Sequence, residues 1–445
     1  MNDLAAFFSY RLRCRGLSFP KPKWNPADLV TKLNEAWITT NGHENRQQEE
    51  VYTIDPLGCT DFDDAFSITP CSNNKTKVSI YIANVASWLM QSDSFEWIQR
   101  VSTIYLPTGN MPMLPPILSE THCSLKSGNM KLVLAMDCIF NDLDNKEDPE
   151  IKFGLTVVRI RENLVYESPR CLSCSAYKAL YELTRRLDPS VTDSHDVIEY
   201  WMVRMNRECG KKMAEKKTGI FRVCPTGDFS EFCNHDSLAH LPVHIRARLA
   251  VFRRNNSLNS SSNAKYSLYC KSSEDNSATL LHGAMNIANY VHITSPIRRL
   301  ADLLNQLLFM RDCMDIELTE PAISFLNRWT ANLETINRQM QQTRKYQMEC
   351  ELMHACRDLF LFENESRELA GCVFGIESNH ASNSCEYMVY IEELKMFSRV
   401  KEVIIEMNKL IENYTYHKFR VYMFEDESKL YRKIRVQRLH NDCNC

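Results

Sequence analysis

Three patterns in this sequence predict an α+β fold: a mixed β-sheet core with surrounding helices, followed by a small β-barrel. In residues 51–83 and 131–162, apolar side chains recur at every second position, the spacing of half-buried strands. In 175–217 and 290–362 the spacing changes to three and four, as on helices packed against a core. From 371 to 439 short alternating runs return, broken by polar turns. A chain of 445 residues suits two or three domains. Its 44% apolar and 24% charged residues are typical of soluble globular proteins.

The bulk numbers exclude several classes. A net charge of −3 provides no general positive field, so a nucleic-acid partner would need local basic patches. The 18 cysteines are scattered; Cys171/Cys174 is the lone C-x-x-C and Cys443/Cys445 a terminal C-x-C, weak signals for zinc. The apolar run from Leu4 to Phe8 is too short for a signal peptide, and no run approaches the roughly 18 residues of a membrane span. Reduced thiols in a cytoplasmic or nuclear protein, with no membrane partner, are the expectation.

Taken in order, residues 1–48 carry little pattern. Phe19-Pro-Lys-Pro-Lys-Trp-Asn-Pro26 reads as an extended basic connector. Leu29, Leu33 and Trp37 share one face of a short helix at 26–37, and 41–50 is a polar loop. The whole reads as an N-terminal arm. A strand at Val51–Asp55, a turn at Pro56-Leu57-Gly58 and a second extended piece follow. Residues 70–76 form a hairpin loop, and Val78, Ile80 and Ile82 alternate with Ser79, Tyr81 and Ala83 in the partner strand. The proline-rich stretch 101–128 is expected to be an ordered irregular loop. Beyond it come a strand at 131–139, an acidic turn at 141–150 and a strand at 151–162. Val197, Trp201, Met205 and Cys209 mark the core face of a helix, and 255–277 is a Ser- and Asn-rich loop. Leu333, Ile336, Met340, Met348, Leu352 and Leu359 continue the helical stripe. The runs around Phe374, Tyr387–Ile391, Lys418–Met423 and Lys433–Leu439 then predict an OB-type barrel. Its strands mix basic and aromatic residues (Lys418, Arg420, Tyr422, Lys433, Arg435, Arg438), as single-strand binders do.

Two stretches carry chemistry. Val51-Tyr-Thr-Ile-Asp-Pro-Leu-Gly-Cys-Thr-Asp-Phe-Asp-Asp-Ala-Phe-Ser67 sets Asp55, Asp61, Asp63 and Asp64 in an apolar frame without an intervening Lys or Arg. Such repulsion is costly unless protons or hard cations offset it, and oxygen-only donors favour magnesium, manganese or calcium over zinc. In Tyr290-Val-His-Ile-Thr-Ser-Pro-Ile-Arg-Arg-Leu-Ala-Asp302, Thr294 or Ser295 can cap a helix that Pro296 opens, with Arg298 and Asp302 able to pair at i, i+4. Arginines at the positive end of a helix are disfavoured unless an anion such as phosphate binds there.

These stretches resemble the RNB-domain exoribonucleases: ribonuclease II, ribonuclease R and the eukaryotic exosome catalytic subunit. The resemblance rests on Thr53-Ile-Asp-Pro-Leu-Gly-Cys-Thr-Asp-Phe-Asp-Asp-Ala65, Tyr81-Ile-Ala-Asn-Val-Ala-Ser87, Tyr105-Leu-Pro with Met111-Pro-Met-Leu-Pro-Pro-Ile-Leu-Ser, and His292-Ile-Thr-Ser-Pro-Ile-Arg-Arg-Leu-Ala-Asp302. Beyond the N-terminal arm at 1–48, it implies an RNB catalytic domain at 49–365 and an OB-fold RNA-binding module at 366–445. It implies a magnesium-dependent enzyme (manganese can substitute) that hydrolyses single-stranded RNA processively from the 3′ end to nucleoside 5′-monophosphates. By the resemblance Asp55, Asp61, Asp63 and Asp64 hold metal, with Asp63 the most directly catalytic. Arg298 neutralises the scissile phosphate, and Glu349 completes the site. Tyr105, Thr294, Ser295 and Arg299 are the RNA-binding candidates.

There are departures. Leu300 replaces a tyrosine, Gln306 a histidine and Asn84 an aspartate, and the stretch between Glu167 and Val197 lacks the strand that supplies an aromatic clamp in bacterial members. Nothing before Val51 resembles the family's cold-shock or PIN domains, so a protein partner supplying RNA-binding surface is expected. The competing readings are a catalytically weak RNA-binding or regulatory protein of the same fold, and a nuclease acting on DNA.

Overall fold

The computed structural model describes residues 4–17, 43–71, 75–141, 148–224, 241, 245, 249, 264–269, 280–282, 287–359, 366–379, 384–403, 411–426 and 431–439. The helix expected at 26–37, the hairpin tip at 72–74, the acidic turn at 142–147 and the Cys443/Cys445 pair lie outside them.

The core sheet contains β1 (Glu44–Asn45), β2 (Val51–Asp55), β3 (Asp64–Pro70), β4 (Thr76–Ala83), β5 (Met130–Phe140) and β6 (Glu150–Val165), in the order β1-β6-β2-β3-β4-β5. β6 runs parallel to β1 and β2 while the other pairs are antiparallel, which makes the sheet mixed. β6 also pairs with β5, so the ladder returns on itself. From Val78 to Ala83 every β4 side chain is buried, so the alternating pattern there covers two packed faces rather than one wet and one dry. Several buried polar groups pair across the sheet: Tyr81 and Ser67 hydroxyls donate to Glu49, and Ser79 and Arg46 donate to Asp137.

The helices number α1 (Leu4–Cys14), α2 (Val85–Ser92), α3 (Pro169–Ser173), α4 (Ser175–Leu187), α5 (Ser194–Glu215), α6 (Leu300–Cys313), α7 (Glu320–Ala331) and α8 (Leu333–Leu359) among the described residues. Val197, Trp201, Met205 and Cys209 of α5 are fully buried, as their spacing predicts. Every residue of α6 from Leu300 to Met310 is buried. Among its buried polar members, Gln306 accepts from the Ala86 N–H and donates to the Ala83 carbonyl, both at 3.0 Å, pinning α6 to the β4–α2 junction. Asn84 accepts the Ser87 N–H as the α2 N-cap. Two of the departures from the family pattern therefore have structural work here. Met348, expected in the α8 stripe, is 66% exposed.

Short pairings complete this part. β7 (Ile220–Val223) pairs with β8 (Lys265–Leu268), where a loop was expected, and β9 (Leu281–His282) pairs with β10 (Ile287–Ala288). Gly210 of α5 permits the chain at Asn289 to pass close by, since a Cβ there would stand 1.8 Å from the Asn289 carbonyl oxygen.

The second sheet, β13-β12-β11-β14-β15, comprises β11 (Ser366–Asn379), β12 (Ser384–Ile391), β13 (Met396–Val403), β14 (Tyr416–Asp426) and β15 (Tyr431–Arg438). An Arg438–Glu402 ion pair at 3.1 Å joins β15 to β13, so the five strands nearly close as an OB-type barrel. β13 escaped the alternation signal because only Val400 in it is buried. Arg438 and Arg420, candidate RNA-facing cations, are spent on Glu402 and Glu368 within the sheet. α1, also unforeseen, packs Phe8 into a core shared with Ile104, Tyr346 and the barrel residues Val373 and Tyr387.

Candidate active site

β2 ends on Asp55 and β3 begins on Asp64, so the chain between them, carrying Asp61 and Asp63, is free of ladder pairing. Asp63 is buried. Its Oδ1 accepts the Ile297 N–H at 2.9 Å and its Oδ2 accepts Arg298 Nε at 2.8 Å, across 235 residues of sequence. Arg298 also donates from Nη2 to Ser295 Oγ at 2.9 Å. The two stretches singled out in the sequence meet here.

The geometry of the second stretch corrects two expectations. α6 starts at Leu300, with Arg299 in an extended conformation (φ −134°, ψ 123°) as its N-cap, so neither Thr294 nor Ser295 caps it. Arg298 lies before the helix, where no i, i+4 relation exists. Asp302 instead accepts Arg299 Nη2 and the Ser295 N–H, each at 2.8 Å. The approach to the helix is held from α5 and α6. Asn206 accepts the Ile293 N–H at 2.9 Å and donates to Thr294 Oγ1 at 3.4 Å, while Asn305 donates to the His292 and Ile220 carbonyls.

Burial is the largest influence on these carboxyls. It raises Asp55, Asp63 and Asp64 to about 7, with Asp55 adding repulsion at Asp64, and with Arg298 and the Ile297 N–H opposing the rise at Asp63. The Cys59 thiol is pushed up to about 12 by burial and by Asp55 and Asp61. Tyr105 donates its hydroxyl to Asp61 Oδ2 at 2.9 Å.

The donor chemistry suits a hard cation. All four side chains offer oxygen, and Asp55 Oδ2 is buried with no hydrogen-bond partner among the described residues. No group of three or more His, Cys, Asp or Glu side chains converges at metal-holding geometry among the described residues. Asp61 is turned to Tyr105 and Asp63 to Arg298, so a cation bridging them would displace these contacts.

A cavity of about 550 Å³ runs from Asp64 and Arg298 past Thr294 and Ser295. Its wall includes Tyr166 and His195, stacked at 3.8 Å with an interplanar angle of 11°. Sequence reasoning missed His195 and also Arg222, which lines the same cavity. An arginine inside the apolar run Ile220-Phe-Arg-Val223 was the available signal for the second. Glu349 does not line the cavity. It pairs with Arg11 of α1, whose Nη2 stands 2.8 Å from Oε1, and with Arg15. The resemblance could not foresee this because α1 itself was not anticipated.

Residues 44–173 and 178–311 match the RNB domain, more than half of the chain. The chain belongs to the RNB-domain exoribonuclease family. Exosome complex exonuclease RRP44 of Mus musculus is 32% identical over 134 residues, covering 29% of this chain and 14% of that protein. The solved structure of Mycoplasma genitalium RNase R in complex with ribose methylated single-stranded RNA superposes with a TM-score of 0.68 at 16% identity, covering 98% of this chain and 75% of that one. The yeast protein Ssd1, described as a pseudonuclease, superposes with a TM-score of 0.67 at 14% identity, covering 95% and 59%. No described helix is long and apolar enough to cross a membrane.

Proposed function

We propose that this protein hydrolyses single-stranded RNA processively from the 3′ end, releasing nucleoside 5′-monophosphates. One observation carries the reading: a buried aspartate and an arginine, each needing a counter-charge, face one another at 2.8 Å beside a polar cavity flanked by further carboxylates. In that reading Asp55, Asp61 and Asp64 hold divalent cations and Asp63 is the most directly catalytic carboxylate. Magnesium, for which manganese can substitute, would activate a water and stabilise the leaving 3′ oxygen. Arg298, released from Asp63, neutralises charge on the scissile phosphate. Ser295 and Arg299 support the backbone that presents it, and Tyr105 orients the terminal nucleotide. Residues 49–365 act as the catalytic unit and 366–445 as an RNA-binding module, with a protein partner adding RNA-binding surface. RNA in the complex of the bacterial RNase R supports the substrate class.

The second reading, an RNA-binding protein without hydrolysis, is favoured by the fold shared with a pseudonuclease and by carboxylates turned to protein partners. A 5′-labelled single-stranded RNA incubated with magnesium separates the two. A ladder ending in short oligomers, lost in Asp63→Asn, is expected. RNA left at full length across magnesium and manganese titrations overturns the enzyme reading, and equal cutting of DNA redirects the substrate class.

A further inference from the structure

Arg222 is 94% buried, with 6% of its surface exposed, yet it makes no ion pair or side-chain hydrogen bond among the described residues. A guanidinium carries five donors and stays charged, so leaving it unmatched in a buried place is costly. Its position is closely built. The Arg222 N–H donates to the Tyr290 carbonyl at 2.7 Å, and its guanidinium carbon lies 4.8 Å from the centre of the Tyr266 ring. Tyr266 is fixed in turn through its hydroxyl to His292 Nδ1 at 2.8 Å and through its backbone to Asn337 of α8 at 2.7 and 2.9 Å. Seven residues along α8 from Asn337, and so on the same helix face, stands Arg344, which is exposed, lines the cavity and makes no ion pair among the described residues. Arg299, by contrast, is matched by Asp302, and Arg298 by Asp63.

We infer that Arg222 and Arg344 form a second phosphate-binding subsite in this cavity, taking a phosphate of the RNA other than the one at Asp63 and Arg298. The inference rests on the proposed action on RNA. The local field agrees: burial first, then Arg344 and Arg299, depress the Arg222 pKa, and burial with Arg299 and Arg222 holds His292 well below its ordinary value. An anion would relieve that repulsion; a cation or a bare base would not. The phosphate can be internucleotide or a 3′-terminal monophosphate, and the two are separable.

The test measures binding without turnover. Anisotropy of 5′-labelled RNA 12-mers is followed with the full chain in EDTA, using 3′-hydroxyl ends, 3′-phosphate ends, and a methylphosphonate replacing each of the last internucleotide phosphates in turn. Charge-assisted hydrogen bonds of this kind make Arg222→Gln weaken binding by tenfold to a hundredfold, with a salt slope smaller by about one. Arg222→Lys, retaining charge, recovers part of that loss. A loss confined to 3′-phosphate RNA assigns the terminal phosphate. An equal loss with both ends, abolished by one methylphosphonate, assigns an internal one. Exposed Arg344→Gln keeps the test decisive should Arg222→Gln fail to fold. Unchanged affinity in folded Arg222→Gln and Arg344→Gln overturns the subsite while leaving RNA binding intact. A wild-type chain with no RNA affinity overturns the functional reading and the subsite together.

Discussion

Replacing Asp64 with Asn removes a charge from a place where burial, and then Asp55, hold the carboxyl at about 7 instead of 3.8. Between about pH 4 and 7 the folded chain therefore binds more protons than the unfolded chain, and stability falls as pH rises through that window. Above pH 7 the full penalty applies. About three units at ~1.4 kcal/mol each set a ceiling of about 4 kcal/mol, which relaxation and water entry reduce to about 1–2 kcal/mol. At roughly 1.5 °C per kcal/mol for a cooperative unit the size of residues 49–365, Asp64→Asn raises the Tm of the metal-free protein by about 1.5–3 °C at pH 8. At pH 5, about one unit above the unfolded carboxyl value, the gain shrinks to about a third of that at pH 8. Thermal unfolding followed by circular dichroism in EDTA at pH 5, 6.5 and 8 reads this directly, and the same variant assayed in magnesium should lose RNA hydrolysis. A carboxylate kept for chemistry against its folding cost gives both changes together. A Tm at pH 8 that is lower in the variant, or a gain independent of pH, refutes the reasoning.

Arg298→Gln strips Asp63 of its counter-charge and should cost about 3 kcal/mol at pH 8 by urea unfolding; adding Asp63→Asn should recover most of it, and a double variant no better than the single one would deny the pairing. Glu349→Gln should loosen α1, seen as faster hydrogen exchange along Leu4–Cys14, while hydrolysis stays within severalfold; abolished chemistry with α1 still protected would return Glu349 to the catalytic set. Gly210→Ala drives a methyl into the Asn289 carbonyl and should lower stability by about 1–3 kcal/mol, and an unchanged Tm would show that α5 and the 287–291 segment separate freely.

Much of the architecture was legible because it rests on local periodicity. The Val197–Cys209 face of α5 and the alternating runs of the barrel each state which side meets a core, while the two-residue spacing of β4 marks a strand packed on both faces. What lacked a strong apolar stripe was missed: α1, with Phe8 its one fully buried described side chain, and β13, with Val400 alone. Within the site, the aspartate cluster and the Thr294–Asp302 stretch were evident from composition, since unneutralised charge in an apolar frame requires a partner. Who partners whom was not. Asp63 takes Arg298, Asp302 takes Arg299, and Glu349 takes Arg11 and Arg15. Helix spacing could not predict these pairs because the chain at Arg298 and Arg299 is not helical and Asp63 lies 235 residues away. The sequence by itself determined the kinds of groups present and the cost of burying them. Only the tertiary structure decided which charges offset one another, because Coulomb attraction depends on distance in space, and left Arg222 facing the cavity without an ion pair among the described residues.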